Sequence, residues 1–411
     1  MGEKIYTHAH PYTPLLTLLS SPTHLPYSGP ILRRIQFAVN NPSESARVLA
    51  TFPEDAIPGA TPWLVSFTDI NRRPDTQVWL FSSLESASGS SASSLSQAED
   101  PNGNPLGHFP PTTTTTEQEK QSVKSQLLSL FKHLRNTLVP GYLSHLALNP
   151  PAVSQESGIA KLPIHAPFSF LLGTVHASLV AWIAELQSEG KLTIHRGKDV
   201  FNAKYCFPSG VFNAPAVGPG TGSSENGNQH GHGLEHGEFR FHDANGIYGI
   251  QEHHLDLVKS RTAIPRSKPG LLAMSGVALY HDRPHPAGNA MKAPGDEEGK
   301  EEMPIAWAFL GFDGSLCSLH VEEEFRGRGL AAVVAREVMK SGVSRFETDS
   351  LAASLGGQVE GEKQWFFADV AVENAASRRV MEKMGGLVGW TVVWIVVEVE
   401  ADVDVHVDGS Q

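Results

Sequence analysis

The chain has 411 residues, 40% of them apolar and only 18% charged, with a formal net charge of -12. That is enough for about two or three domains of globular chain, diluted by 38 Gly and 28 Pro. The acidic balance excludes a broad electrostatic footprint for nucleic acid or an anionic membrane, while leaving room for a local basic pocket.

Cys206 and Cys317 form no CxxC and have no histidine at zinc-finger spacing. This argues against a disulfide framework or a structural zinc site, and for free thiols in a reducing compartment. The opening MGEKIYTHAHPY lacks the basic-then-apolar layout of a signal peptide, and Tyr6 breaks the myristoylation pattern. The longest apolar run, Trp390 to Val397, is too short to span a bilayer. The expectation is a soluble intracellular protein of the cytoplasm, with the nucleus left open.

Three low-complexity stretches, 82–120, 208–236 and 283–303, hold too few large apolar groups to offset their ordering entropy. The middle one reads as a domain boundary. The division expected is a mixed α/β N-terminal domain over 1–207 with an insertion at 82–120, and a Gly/His-rich linker over 208–237. A second domain follows over 238–400 with a loop insertion at 283–303, then a tail over 401–411.

In the first domain, Trp63 to Asp69 and Gln77 to Phe81 read as strands, joined by the turn residues Asn71 to Asp75. Val123, Leu127, Leu130, Phe131 and Leu134 recur at helical spacing, as do Val175, Leu179 and Ile183, which predicts two amphipathic helices. The second domain reads as a helix over Glu252 to Ser260, then strands Gly276–Tyr280, Ile305–Leu310 and Leu316–Val321, with Asp313-Gly314 as a hairpin turn. A helix follows from Leu330 to Lys340, then a strand from Trp365 to Val370. A second helix runs from Asn374 to Met384 and stops at Gly385-Gly386, before a last strand from Trp390 to Glu398. The fold class is α/β, an α+β layered arrangement of a mixed sheet flanked by helices.

The chemistry concentrates in Leu319-His-Val-Glu-Glu-Glu-Phe-Arg-Gly-Arg-Gly-Leu-Ala331. A strand ends at Val321, a loop carries Arg326, Gly327, Arg328 and Gly329, and a helix starts at once. N–H groups at a helix N-terminus and the dipole behind them suit an anion. The glycines allow close backbone approach, and the arginines add charge. The other reading is an exposed loop with ordinary arginines. It is neither a Walker A loop nor a GxGxxG fingerprint.

Arg326-x-x-Gly329-x-Ala331 between a strand and a helix resembles the Arg/Gln-x-x-Gly-x-Gly/Ala signature of the GNAT superfamily of acyl-CoA N-acyltransferases. Asn374-x-x-Ser377, the helix end Met381-Glu-Lys-Met-Gly-Gly386 and the closing strand are similar to that family's C-terminal pattern. Ile305 to Val399 resembles the glycine N-acyltransferase-like branch. The likeness covers about 240–400 and implies that 1–207 is a degenerate GNAT-like half.

The resemblance implies acyl-CoA, most simply acetyl-CoA, as co-substrate, no metal, and an amine of a small molecule or amino acid as acceptor. It implies that the backbone of Arg326, Gly327, Arg328, Gly329, Leu330 and Ala331 holds the pyrophosphate. Leu319 and Val321 would pair with the pantetheine arm, while Asn374 and Ser377 hydrogen-bond the pantetheine or the phosphate end. Candidate bases are His320, Glu322 and Asp369, with His320 and Glu322 ranked first on a shared strand face opposite Val321. Each has a plainer reading: a packed histidine, a solvated acidic loop, an aspartate satisfying local backbone. Met381 stands where many members place an acid tyrosine, and methionine cannot donate a proton. A non-catalytic acyl-CoA-binding or interaction protein is therefore the alternative.

Cys317 is expected to share a face with Leu319 and Val321 as packing, and Trp390 and Trp394 to be core. His230, His232 and His236 read as linker, and Gln251-Glu-His-His254 is not HExxH.

Overall fold

Side-chain alternation builds the N-terminal half. The computed structural model describes residues 3–86, 115–149, 166–208, 239–282, 302–348 and 365–400, apart from positions 57, 74, 263 and 265. The N-terminal elements are β1 (Tyr6–His8), α1 (Thr13–Leu19), α2 (Gly29–Asn40), β2 (Ala46–Ala50), β3 (Leu64–Asp69) and β4 (Val78–Ser82). They continue with α3 (Glu117–His133), α4 (Val139–Leu148), β5 (Ser169–His176), α5 (Ala177–Ser188), β6 (Leu192–Arg196) and β7 (Phe201–Pro208). Val65, Phe67, Trp79 and Phe81 pack under α1 and α2. Leu64, Val78 and Leu80 turn the other way, to α3 and α5. This is the period of a sheet buried on both faces.

The C-terminal half runs β8 (Phe239–Arg240), α6 (Leu255–Ser260), α7 (Lys268–Leu272), β9 (Ser275–His281), β10 (Ala306–Leu310) and β11 (Ser315–Val321). Then come α8 (Leu330–Gly342), β12 (Trp365–Ala371), α9 (Ala375–Lys383) and β13 (Leu387–Val399). α8 and α9 cover one face of this part of the sheet through Val334, Val338 and Met381. α6 and α7 cover Trp307 and Phe309 on the other.

All the strands join one sheet in the order β1-β2-β3-β4-β5-β13-β7-β12-β11-β10-β9-β8, with β6 also paired to β13. The halves exchange their last strands. β13 lies between β5 and β7, and β7 lies against β12 over seven register pairs from Trp365↔Pro208 to Ala371↔Asn202. α2 reinforces the junction: Arg33 Nε donates to the Trp365 carbonyl at 3.2 Å. Arg34, wholly buried with its guanidinium 3.8 Å from the Phe67 ring centroid, has its pKa lowered to about 9, chiefly by desolvation.

Several expectations change. Val175 belongs to β5, and the helix starts at Ala177. Val175, Leu179 and Ile183 do face one core, but a strand end and the helix after it share that spacing. Ser82 closes β4, and the segment from Glu117 to Lys120 is helical, so order reaches into both edges of the 82–120 stretch. Glu302 also takes part in structure, accepting from the Ala244 N–H at 2.7 Å. The interiors of the three low-complexity stretches, with His230, His232 and His236, lie outside the described residues, as does the tail.

Candidate active site at the splayed strands

β11 and β12 run parallel but pair only at Ser315↔Phe367 and Leu316↔Ala368 before they part. β11 is bulged just there. Phe309 opposes Cys317 and Trp307 opposes His320, so Ser318 and Leu319 together face Ala308. An extra residue of this kind bends a strand and breaks its pairing, and Ser318 accordingly sits at φ 49°. A cavity of about 650 Å³ opens in the gap. Its walls are Cys317 to Leu319 of β11, Ala368 to Ala371 of β12, and Asn374, Ser377 and Met381 at α9. Asp75, Thr76, Trp79, Leu171 and Arg196 come from the N-terminal half.

The bulge also overturns one expectation about faces. Leu319 and Val321 pack toward α8, but Cys317 turns to the α6–α7 side, where its Sγ lies 3.7 Å from Met274 Sδ. Burial pushes the Cys317 thiol pKa up, which keeps it a neutral packing group. Trp390 is core at 2% exposure, whereas Trp394, expected to be core, is half-buried and lines the cavity.

The loop after β11 leads straight into α8. Gly329 is the N-cap at φ 79°, with no side-chain cap and no acidic residue in the first turn. Gly327 has φ 81°. A Cβ at either position would meet nothing within 4 Å, so conformation rather than crowding calls for glycine, and the space above the loop is open. Arg326 to Gly329 are exposed, while Phe325 is buried beneath them. The Arg328 guanidinium lies 5.6 Å from the Phe325 ring centroid. Arg326 Nε donates to the Val321 carbonyl at 3.0 Å. Its guanidinium is thus tied to the strand end, and a carbonyl expected to face a pantetheine arm already accepts one bond. Asn374 is likewise engaged: its side chain caps α9, accepting from the Ser377 N–H at 3.0 Å.

The three candidate bases part company. His320 stacks on Trp307 with ring centroids 4.6 Å apart, and burial lowers its pKa. The Glu322 carboxylate is held by Arg261 Nε at 2.9 and 3.3 Å. Neither His320 nor Glu322 lines the cavity; Asp369 does line it. The Asp369 carboxyl is buried, with Lys204 Nζ 2.6 Å from its Oδ1. Thr174 Oγ1 donates to its Oδ2 at 3.3 Å. Desolvation raises the Asp369 pKa against the pull of Lys204, and Asp313 pushes in the same direction as burial. Sequence reasoning missed Lys204 and Asp313 as site neighbours. A lysine amid the apolar residues of Phe201 to Phe207 was a signal; Asp313 read only as a turn residue.

Residues 3–205 match the family model for the acyl-CoA N-acyltransferase verG N-terminal domain. By this match the N-terminal half of the chain belongs to an acyl-CoA N-acyltransferase family. No curated protein matches it. Among solved structures, a Drosophila melanogaster protein is similar at 11% identity and a TM-score of 0.47, over 97% of this chain and 99% of that one. A tandem GNAT protein from the clavulanic acid biosynthesis pathway is similar at 8% identity and 0.41, over 97% and 99%. A putative GNAT-family acetyltransferase from Novosphingobium aromaticivorans is similar at 12% identity and 0.28, over 51% and 69%. TM-scores below 0.5 are too low for these likenesses to decide fold or function.

Met381 is buried in the core at the edge of the cavity. The Tyr205 hydroxyl is turned away, donating to Glu382 at 3.1 Å and accepting from Arg378 Nε at 3.3 Å. Among the described residues no cluster of three or more His, Cys, Asp or Glu could hold a metal ion. None of their helices is long and apolar enough to cross a membrane.

Proposed function

We propose that the C-terminal half transfers an acyl group, most simply acetyl, from acyl-CoA to a primary amine of a small molecule or amino acid. The observation that carries this reading is the cavity between β11 and β12, with the uncapped α8 N-terminus following one wall and a buried carboxylate on the other. The loop fits a pyrophosphate. It offers first-turn N–H groups without an intrahelical acceptor, open space above two glycines, and no competing acid in the first turn. Arg326 through Ala331 would hold the CoA phosphates, with Asn374 and Ser377 at the mouth of the cavity.

In the reaction the amine nitrogen bonds to the thioester carbonyl carbon, the C–S bond breaks, and the thiolate leaves and takes up a proton. Asp369 accepts the proton that the amine gives up. The backbone N–H at the bulge, Ser318 to Leu319, polarises the carbonyl oxygen as negative charge grows on it. With no tyrosine at Met381, solvent supplies the proton for the departing thiolate. His320 and Glu322 orient the strand end through Trp307 and Arg261 and take no part in the transfer. We place the division between the halves at 208–237 and the activity in the cytoplasm, without nucleic acid or membrane as partner.

The methionine favours a second reading, an acyl-CoA binder without turnover. Calorimetric titration with acetyl-CoA, followed by thiol release across a panel of amines, separates the two. Binding and amine-dependent thiol release are expected. Binding without release from any amine would leave the binder reading, and no binding of acetyl- or longer acyl-CoA would remove both.

A further inference from the structure

We propose that Lys204, carried into the C-terminal site by the exchanged strand β7, is the positioning residue that holds the Asp369 carboxylate charged and aimed into the cavity. The inference rests on the reading of Asp369 as the base. Asp369 and Lys204 are direct cross-strand partners of β12 and β7. Lys204 is 0% exposed, its ammonium 2.6 Å from the Asp369 carboxylate and 5.4 and 5.9 Å from the ring centroids of Phe367 and Trp390.

The groups around the pair leave Lys204 little choice of counter-charge. Glu85, beyond β4, is buried, and desolvation raises its pKa to about 8, so it is mostly neutral at pH 7. Desolvation also keeps His176 of β5 neutral and Cys206 of β7 a thiol. Thr174 of β5 offers Asp369 a hydroxyl but no charge, and Asp313 repels it. A charge pair purely for stability is replaceable by apolar side chains at little cost. This one has its acid on the cavity wall and its base sealed behind.

The pair also gives the N-terminal half a task. Lys204 precedes the linker, whereas every motif residue of the loop follows it. On this inference the C-terminal half alone lacks a working base.

The test is a titration of the full chain carrying ¹³Cγ-labelled aspartate, with the Asp369 signal assigned by its loss in Asp369→Asn. In Lys204→Met the Asp369 midpoint should rise by about 1–3 pH units. The acid limb of kcat/KM should move up with it, and Lys204→Arg should restore both. If Lys204→Met does not fold, Lys204→Gln keeps a donor without the charge. An unmoved Asp369 midpoint in a folded variant overturns the inference, while leaving Asp369 as base. A shifted midpoint with an unmoved acid limb does the reverse: Lys204 keeps its hold on Asp369, and Asp369 is not the base. The carboxyl titration decides the inference even without turnover.

Discussion

In the N-terminal half β4 and β5 pair at Val78↔Leu172 before parting; in the C-terminal half β11 and β12 part after two pairs. Beyond that shared splay the halves diverge at the helix that follows. α3 begins with a capping box: the Thr116 side chain takes the Glu119 N–H, Glu119 reaches back, and Glu117 adds a second acid to the first turn. α8 begins with bare glycine and no acid. A phosphate would meet occupied donors and negative charge at α3, and open donors at α8. Each half also buries a carboxyl. Glu85 lies away from the cavity and has its pKa raised to about 8 by desolvation. Asp369 faces the cavity and has a lysine for company. A similar splay is thus followed by a capped, acidic helix start in one half and by a bare one in the other, through the choice of a few polar residues.

The sharpest way to break this contrast is at the two carboxyls. Asp369→Asn should lower kcat/KM by about 10²–10⁴-fold with acyl-CoA affinity nearly intact. His320→Ala and Glu322→Gln, outside the cavity, should stay within about tenfold by the same assay. A reversed order of losses would restore the strand-end residues as bases.

Next is the helix N-terminus. Gly329→Glu puts a carboxylate at the loop and forces a side chain into φ 79°, so acetyl-CoA affinity should fall by about 100-fold, or roughly 2.7 kcal/mol. Glu119→Gln at the other helix should leave that affinity unchanged by calorimetry. A folded Gly329→Glu protein with wild-type affinity would sink the CoA site.

The strand exchange is open to test at Gly197, between β6 and β7. Its φ is +96°, and a Cβ there would collide with the Trp394 carbonyl of β13. Gly197→Ala should destabilise the protein by about 2–3 kcal/mol. Because β13 belongs to both halves, denaturation should show them losing structure together.

Last, the sealed carboxyl gives a pH signature. Glu85 has a folded pKa raised to about 8, so between its ordinary value and that one the folded state binds more protons than the unfolded state. Its contribution to stability therefore falls as pH rises through that window, by about 1.4 kcal/mol per unit. Glu85→Gln keeps an acceptor for the Ser82 N–H, now 2.8 Å from Glu85 Oε1. The variant should gain on the wild type from pH 5 to 8 in urea denaturation. A constant difference would show that Glu85 is not the buried proton carrier.

Much of the C-terminal half was legible in local chemistry. The Asp313-Gly314 turn forms with Gly314 at φ 73°, and Gly329 begins a helix with Val334 and Val338 on its buried stripe. Glycine conformation, helix periodicity and strand alternation act over a few residues and show in order along the chain. α2 escaped such reading because Arg33 and Arg34 interrupt its apolar pattern, although both are buried at the junction. The face of Cys317 escaped because one extra residue at Ser318 inverts the alternation. The sequence alone determined the glycine-bearing loop, its helix and the fold class. Only the tertiary structure decided which carboxylate lines the cavity and that a lysine from the other half stands beside it. That meeting depends on the order of strands in the sheet, set by long-range pairing of β7 and β13, and no local spacing encodes it.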